Sequence, residues 1–126
     1  MSNDFLNVFL NEMKTNVNGF IAVAVTEIES GLSYGNITVD PGFDPELAAA
    51  YNLEVVKAKL SAVKALNLKQ DIEDILITLS KQIHIIDISP NKKFMIYLAA
   101  DASKANLGMT RAILRKHKLE LEKNLA

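Results

Sequence analysis

The chain has 126 residues, 49% hydrophobic and 23% charged, which predicts a single globular domain over residues 1–126. Its formal net charge is −1, and because no basic stripe stands out we expect no binding to nucleic acid. Cysteine is absent, which excludes disulfides, thiolate catalysis and cysteine-ligated metals. The first residues lack the positive charge of a signal peptide, and the longest apolar run, residues 20–25, is too short to span a bilayer. We therefore expect a cytoplasmic protein with no membrane insertion.

The first third of the chain alternates between helical and strand periodicity. Apolar residues recur at helical spacing over residues 5–13, which predicts a short amphipathic helix. Residues 20–26 are apolar on both faces, as is typical of a central strand covered on both sides. Residues 29–31 predict a hairpin turn, residues 32–35 a weaker return strand, and residues 36–42 a loop.

The middle helix, residues 43–67, is the most informative segment because it has two apolar faces. Asp44 is placed to cap it, and Pro45 suits its first turn. One face, which we call the Leu47 face, consists of Leu47, Tyr51, Val55, Ala58, Ala62 and Leu66. The opposite face, which we call the Leu53 face, consists of Ala49, Leu53, Val56, Leu60 and Val63. A surface helix of a small domain needs one apolar face, so two faces predict contact with another protein.

After residue 67 the period changes from helix to strand. Residues 73–79, 83–88 and 94–100 predict three strands with short connections, which favours antiparallel neighbours. A last helix follows from residue 101. The order α-β-β-α-β-β-β-α predicts an α+β fold, a five-stranded antiparallel sheet with the middle helix on one face and the terminal helices on the other.

Residues that could carry chemistry are few. No phosphate-binding glycine motif occurs, and His84 and His117 lack further ligands at credible spacing, so we predict no catalytic residue, no cofactor and no metal site. The acidic cluster at residues 71–74 and the basic run at residues 115–118 are expected to lie in water. Arg111, early in the last helix, is the one cation that we single out as a candidate partner contact, because an arginine can stabilise phosphoryl transfer in a partner.

With this order of elements, the chain resembles the Roadblock/dynein light chain family, whose fold is roadblock/profilin-like. The likeness lies in the strand at residues 19–25 leading into Glu29-Ser30-Gly31, in the alanine-rich middle helix, and in the strand at residues 94–101 followed by Asn106-Leu107-Gly108 and Arg111. The resemblance covers essentially the whole chain.

The resemblance implies a homodimer or heterodimer, with the third strands paired edge to edge and the middle helices side by side. It also implies a non-enzymatic adaptor for Ras-like small GTPases, since family members scaffold or regulate them, including bacterial gliding-motility regulators that accelerate GTP hydrolysis. The alternatives are a structural scaffold or light-chain subunit without GTPase regulation, and a small-ligand sensory domain with a cavity between sheet and helix.

The predicted subunit interface uses the Leu53 face of the middle helix. We expect the Leu47 face to pack on the sheet, because it runs along the whole helix. The interface residues are then Ala49, Leu53, Val56, Leu60 and Val63, together with Ile75 and Ile77 of the third strand.

Overall fold

The computed structural model describes residues 2–125, and its elements follow the predicted order. They are α1 (Ser2–Asn16), β1 (Phe20–Glu27), β2 (Ser33–Thr38), α2 (Pro45–Ala65), β3 (Asp74–Thr78), β4 (Gln82–Ile88), β5 (Phe94–Asp101) and α3 (Leu107–Leu125). The predicted α+β fold with one five-stranded antiparallel sheet is confirmed.

Two predicted boundaries were wrong. The return strand β2 continues to Thr38, because Asn36, Ile37 and Thr38 pair with β1 instead of forming a loop. The last helix begins at Leu107, since Asp101 still belongs to β5 and its carboxylate accepts bonds from the backbone N–H and hydroxyl of Ser103 in the turn that follows.

The strand order is β2-β1-β5-β4-β3, with every neighbouring pair antiparallel. β5 is the central strand and β1 lies beside it; both are covered on both faces, and this accounts for the absence of a polar face in β1. β2 and β3 form the two edges of the sheet.

Each face of the sheet has its own apolar cluster. One cluster lies beneath the terminal helices and includes Phe9, Met13, Val25, Ile96 and Leu114; we call this side the α1–α3 face. The other lies beneath α2 and we call that side the α2 face. Its buried members are Ala24, Ile28, Ala49, Leu53, Val56, Ile86, Ile88, Met95, Tyr97 and Ala99.

Local chemistry fixes where α2 starts and stops. The Asp44 carboxylate accepts bonds from the backbone N–H groups of Glu46 and Leu47, both at 3.1 Å, and so satisfies donors that the first turn leaves free. At the other end Asn67 has a φ of 55°, a left-handed conformation that stops the helix.

The two apolar faces of α2 are reversed relative to the prediction. Ala49, Leu53 and Val56 are only 1%, 5% and 0% exposed, because the Leu53 face packs on the sheet. The fully buried residues of α2 lie between Pro45 and Val56, so the length of an apolar stripe was the wrong criterion for choosing the core side. Leu60 and Val63, further along the Leu53 face, are half-buried.

Candidate functional site

The Leu47 face of α2 is a row of exposed apolar side chains. Leu47 is 55% exposed, Tyr51 72% and Leu66 69%, and Val55 between them is also exposed. α2 has 21 residues, so the row extends for roughly 30 Å at 1.5 Å per residue. Within residues 2–125 nothing covers these side chains, and an ordered apolar surface of this extent is characteristic of an interaction site.

The outer edge of β3 is the second component of the site. The N–H of Ile88 bonds to the C=O of Glu73, and the N–H of Leu79 bonds to the C=O of Gln82. The odd-numbered residues of β3 therefore direct their backbone groups toward β4, given the antiparallel register of the two strands. The N–H and C=O groups of Asp74, Leu76 and Thr78 consequently point outward from the sheet, where a further strand can pair with them.

Ile75 and Ile77, predicted as interface residues, lie on this strand with their side chains on the α2 face. They pair with Ile86 and His84 of β4, and both are half-buried against the cluster beneath α2. The placement of the third strand at a sheet edge is confirmed. The outward backbone groups, however, belong to Asp74, Leu76 and Thr78, because successive residues of a strand direct their N–H and C=O groups to opposite sides.

Leu60 and Ile72 join the two components, because both pack at the margin of the cluster beneath α2 together with Ile75 and Ile77. A surface cleft of about 480 Å³ opens beside them, and its lining includes Leu60, Ile72, Asp71 and three lysines, Lys64, Lys69 and Lys92. We refer to the Leu47 face together with the free edge of β3 as the association surface.

Arg111, predicted as a candidate partner contact, is paired within its own chain. Its Nε donates to Oδ2 of Asp74 at 2.9 Å, and its Nη2 donates to Oδ1 at 3.0 Å. This bidentate geometry is the strongest form of an arginine–carboxylate contact. Arg111 therefore ties α3 to the start of β3, and Asp74, which the sequence placed in water, is largely buried with 15% of its side chain exposed.

Sequence reasoning also missed an ion pair between Lys118 and Asp87. Lys118 Nζ donates to Oδ1 of Asp87 at 2.7 Å, and the two side chains are only 13% and 5% exposed. The pKa of Asp87 is raised, chiefly by burial and further by the charge of Asp74, although the bond and charge of Lys118 and the charge of Arg115 oppose the shift. The available signal was that Arg111 and Lys118 are seven residues apart, and so lie on one side of a helix.

The two histidines occupy structural positions on opposite faces of the sheet. His84 Nε2 lies 2.8 Å from Oε1 of Gln82, and its Nδ1 lies 3.1 Å from the hydroxyl of the buried Tyr97. Burial lowers the pKa of His84 and raises that of Tyr97 to about 12. His117 packs edge-on against Phe9, with ring centroids 5.8 Å apart.

Residues 2–125 lack two further features. No group of three or more histidine, aspartate or glutamate side chains there is arranged to hold a metal ion. None of its helices has the length and apolar character needed to cross a bilayer.

No protein-family model and no curated protein sequence matches this chain. Solved structures do. MglB of Myxococcus xanthus matches with a TM-score of 0.81 at 15% identity, over 94% of this chain and 92% of that one. A Roadblock/LC7 domain from Streptomyces avermitilis matches with 0.80 at 11%, over 94% and 95%. The gliding protein MglB of Thermus thermophilus matches with 0.82 at 13%, over 98% and 90%.

The layers, the strand order and the association surface define a small α+β domain, with one helix on one face of its sheet and two on the other. Its fold is the Roadblock/LC7 fold, since chains with that architecture superpose over nearly their whole length. At 11–15% identity the likeness is one of fold, and at that level the resemblance found in the sequence is confirmed.

Proposed function

We propose that this protein is a single-domain, homodimeric adaptor of the cytoplasm, which binds a Ras-like small GTPase and changes its nucleotide state. The observation that carries the proposal is the exposed Leu47 face beside the free edge of β3. Both features expose groups that a lone chain in water would be more stable without.

A second copy of the chain satisfies both features at once. In this proposal two β3 strands pair through the outward groups of Asp74, Leu76 and Thr78, which extends the sheet across the dimer. The two Leu47 faces then meet on the α2 side, and Ile75 and Ile77 lie at the margin of the contact. A stable interface of standard size buries about 800 Å² per partner. Burying each exposed leucine contributes roughly 1.5–3 kcal/mol before the cost of association is counted.

The GTPase partner follows from the resemblance to the Roadblock family, whose members scaffold or regulate such proteins. One solved structure with this fold is described as a gliding protein, which fits the bacterial regulator type. In the proposed role the adaptor acts by binding and holding the GTPase, whose own residues carry out the hydrolysis. Arg111 is not assigned to the GTPase contact, because its Nε and Nη2 already donate to Asp74 within its own chain.

The test uses the full chain and the Ras-like GTPases encoded in the same genome. Each GTPase, loaded with GDP or with a non-hydrolysable GTP analogue, is mixed with the protein and passed over a sizing column. Single-turnover GTP hydrolysis and nucleotide release are then measured with and without the protein. We expect co-elution with one GTPase and a changed rate of one of these steps.

Two variants sharpen this test. Tyr51→Asp alters the association surface, whereas Leu119→Asp introduces the same charge at an exposed apolar residue of α3, on the opposite face of the sheet. We expect Tyr51→Asp to lose the effect on the GTPase and Leu119→Asp to keep it. Co-elution with unchanged rates would indicate a scaffold instead, and the absence of any GTPase complex would refute the proposal.

A further inference from the structure

Two carboxylates face each other across the first rung of the β3–β4 ladder. Asp74 and Asp87 are direct partners in the register. They form a non-hydrogen-bonded pair, because Glu73 and Ile88 on one side carry the interstrand bond. Side chains come closest at such pairs, and like charges placed directly opposite each other destabilise the ladder. This rung therefore opposes the pairing of β3 with β4.

α3 supplies the charges that offset this repulsion. Arg111 holds Asp74 with two bonds, and Lys118, two turns further along the same side of α3, holds Asp87. Both carboxylates are largely or fully buried by these contacts, with 15% and 5% of their side chains exposed. Arg115 lies between the two cations in sequence, and its charge also favours the ionised form of Asp87.

β3 has little else to hold its first residue in place. The strand is five residues long, pairs only with β4, and exposes Leu76 and Thr78 on the side that faces the terminal helices. Asp74 is therefore anchored by its two bonds to Arg111, because its rung with Asp87 carries no interstrand hydrogen bond. Without α3, the rung would place two negative charges side by side with no cation to offset them.

We infer that Arg111 and Lys118 are positioning residues, which make the attachment of β3 to β4 conditional on the docking of α3. The position of the β3 edge that is free for a second copy is thus controlled by α3, which lies on the face of the sheet opposite α2. A protein that displaces α3 would loosen β3 and weaken pairing at its outer edge. The effect on pairing at the outer edge rests on the proposed homodimer, whereas the positioning of β3 within one chain does not.

The test measures amide hydrogen exchange in the full chain at Ile75 and Ile77, whose N–H groups point toward β4. Arg111→Gln removes one cation, and we expect exchange there to rise by about tenfold or more while the central strands β1 and β5 stay protected. Lys92→Gln is the matched control. It breaks the Lys92–Asp71 pair nearby, whose side chains are 51% and 76% exposed, and it should leave exchange in β3 unchanged.

A double variant distinguishes charge from packing. Asp74→Asn in the Arg111→Gln background removes the carboxylate that Arg111 neutralises, so we expect protection of Ile75 and Ile77 to return. If Arg111→Gln exchanges like Lys92→Gln, or if Asp74→Asn brings no recovery, the inference is overturned. If Arg111→Gln also raises exchange in β1 and β5, recovery of protection in β3 of the double variant would still support repulsion between the carboxylates. No recovery would indicate lost packing instead.

Sedimentation distinguishes a failure of this inference from a failure of the proposed homodimer. With a dimeric wild type, Arg111→Gln should raise the dimer dissociation constant and the double variant should lower it again. A dimer that is equally tight in all three forms would refute the link to the outer edge. A wild type that is monomeric at every concentration would refute the proposed homodimer, while the exchange experiment would still test the positioning of β3.

Discussion

The hydroxyl of Tyr97 lies 3.1 Å from Nδ1 of His84, in the layer between the sheet and α2. The other ring nitrogen of His84 lies 2.8 Å from Oε1 of Gln82. A neutral histidine satisfies both contacts, by accepting from the tyrosine at Nδ1 and donating to the glutamine from Nε2. Protonation would reverse the bond to the tyrosine, whose hydroxyl can also accept, and would place a charge in a site where burial disfavours it.

His84 should therefore make the fold less stable in mild acid. Its pKa is lowered by burial from the ordinary 6.5, so the unfolded chain takes up the proton first. The contribution is fully present above pH 6.5 and is lost as the pH falls from there toward the lowered pKa of the folded state. We expect the free energy of unfolding, measured by urea titration, to fall across this interval in the wild type and to fall less in His84→Gln.

His117→Gln is the control for that experiment, since His117 packs on the other face of the sheet. The effect is assigned to His84 if His84→Gln weakens the pH dependence more than His117→Gln does. An identical profile for His84→Gln and the wild type would show that His84 does not carry the effect.

Charge on the Leu47 face should break the proposed dimer without unfolding the chain. Leu47→Asp and Tyr51→Asp place a carboxylate at residues that are 55% and 72% exposed in the single chain, so monomer stability should change by no more than about 0.5 kcal/mol. In a dimer the same charge would be buried and unpaired, which is strongly unfavourable. Analytical ultracentrifugation should show monomers for both variants and dimers for Leu119→Asp. Dimers of unchanged affinity in all three would show that this face is not the interface.

Leu53 should behave as a core residue. It is 5% exposed beneath α2, so Leu53→Ala should lower the free energy of unfolding by about 2–5 kcal/mol through lost contacts and a residual cavity. Leu119→Ala removes the same atoms from an exposed position and should cost about 0.5 kcal/mol or less. Urea denaturation compares the two, and equal losses would contradict the assignment of the Leu53 face to the core.

Removing one partner of the Lys118–Asp87 pair should lower the free energy of unfolding more than removing both partners. Lys118→Ala leaves a buried carboxylate without its partner, and we expect a loss of about 3–5 kcal/mol in the free energy of unfolding. Lys118→Met combined with Asp87→Leu removes both charges while keeping apolar volume, and it should recover most of that loss. Lys92→Ala, at an exposed pair, should change stability by less than about 1 kcal/mol. A double variant no more stable than Lys118→Ala would argue that packing, not charge, gives the site its stability.

The order of helices and strands could be predicted because periodicity is a local property. Residues 20–26 are apolar on both faces, which is typical of a strand covered on both sides. Asp44-Pro45 marks the start of a helix, because the Asp44 carboxylate accepts bonds from N–H groups that the first turn leaves free. Short connections then made β3, β4 and β5 antiparallel neighbours. These features depend on residues close together in the chain, so one sequence was enough to predict them.

The reversed faces of α2 show where local information ends. The sequence established that α2 has two apolar sides, because side-chain position around a helix follows directly from spacing. Which side meets the sheet depends on the approach of the helix to a surface built from residues far away in the chain. Only the folded chain placed Ala49 and Val56 against the sheet and left Tyr51 in water.

The ion pairs of α3 were decided by tertiary structure for the same reason. Arg111 lies 37 residues from Asp74, and Lys118 lies 31 residues from Asp87. Neither partner is visible in the local pattern, where both cations look like ordinary surface residues of a helix. The sequence by itself determined the elements and their apolar sides, since these depend on near neighbours. Only the tertiary structure decided which sides are covered and which charges meet, since those depend on distances between segments that are remote along the chain.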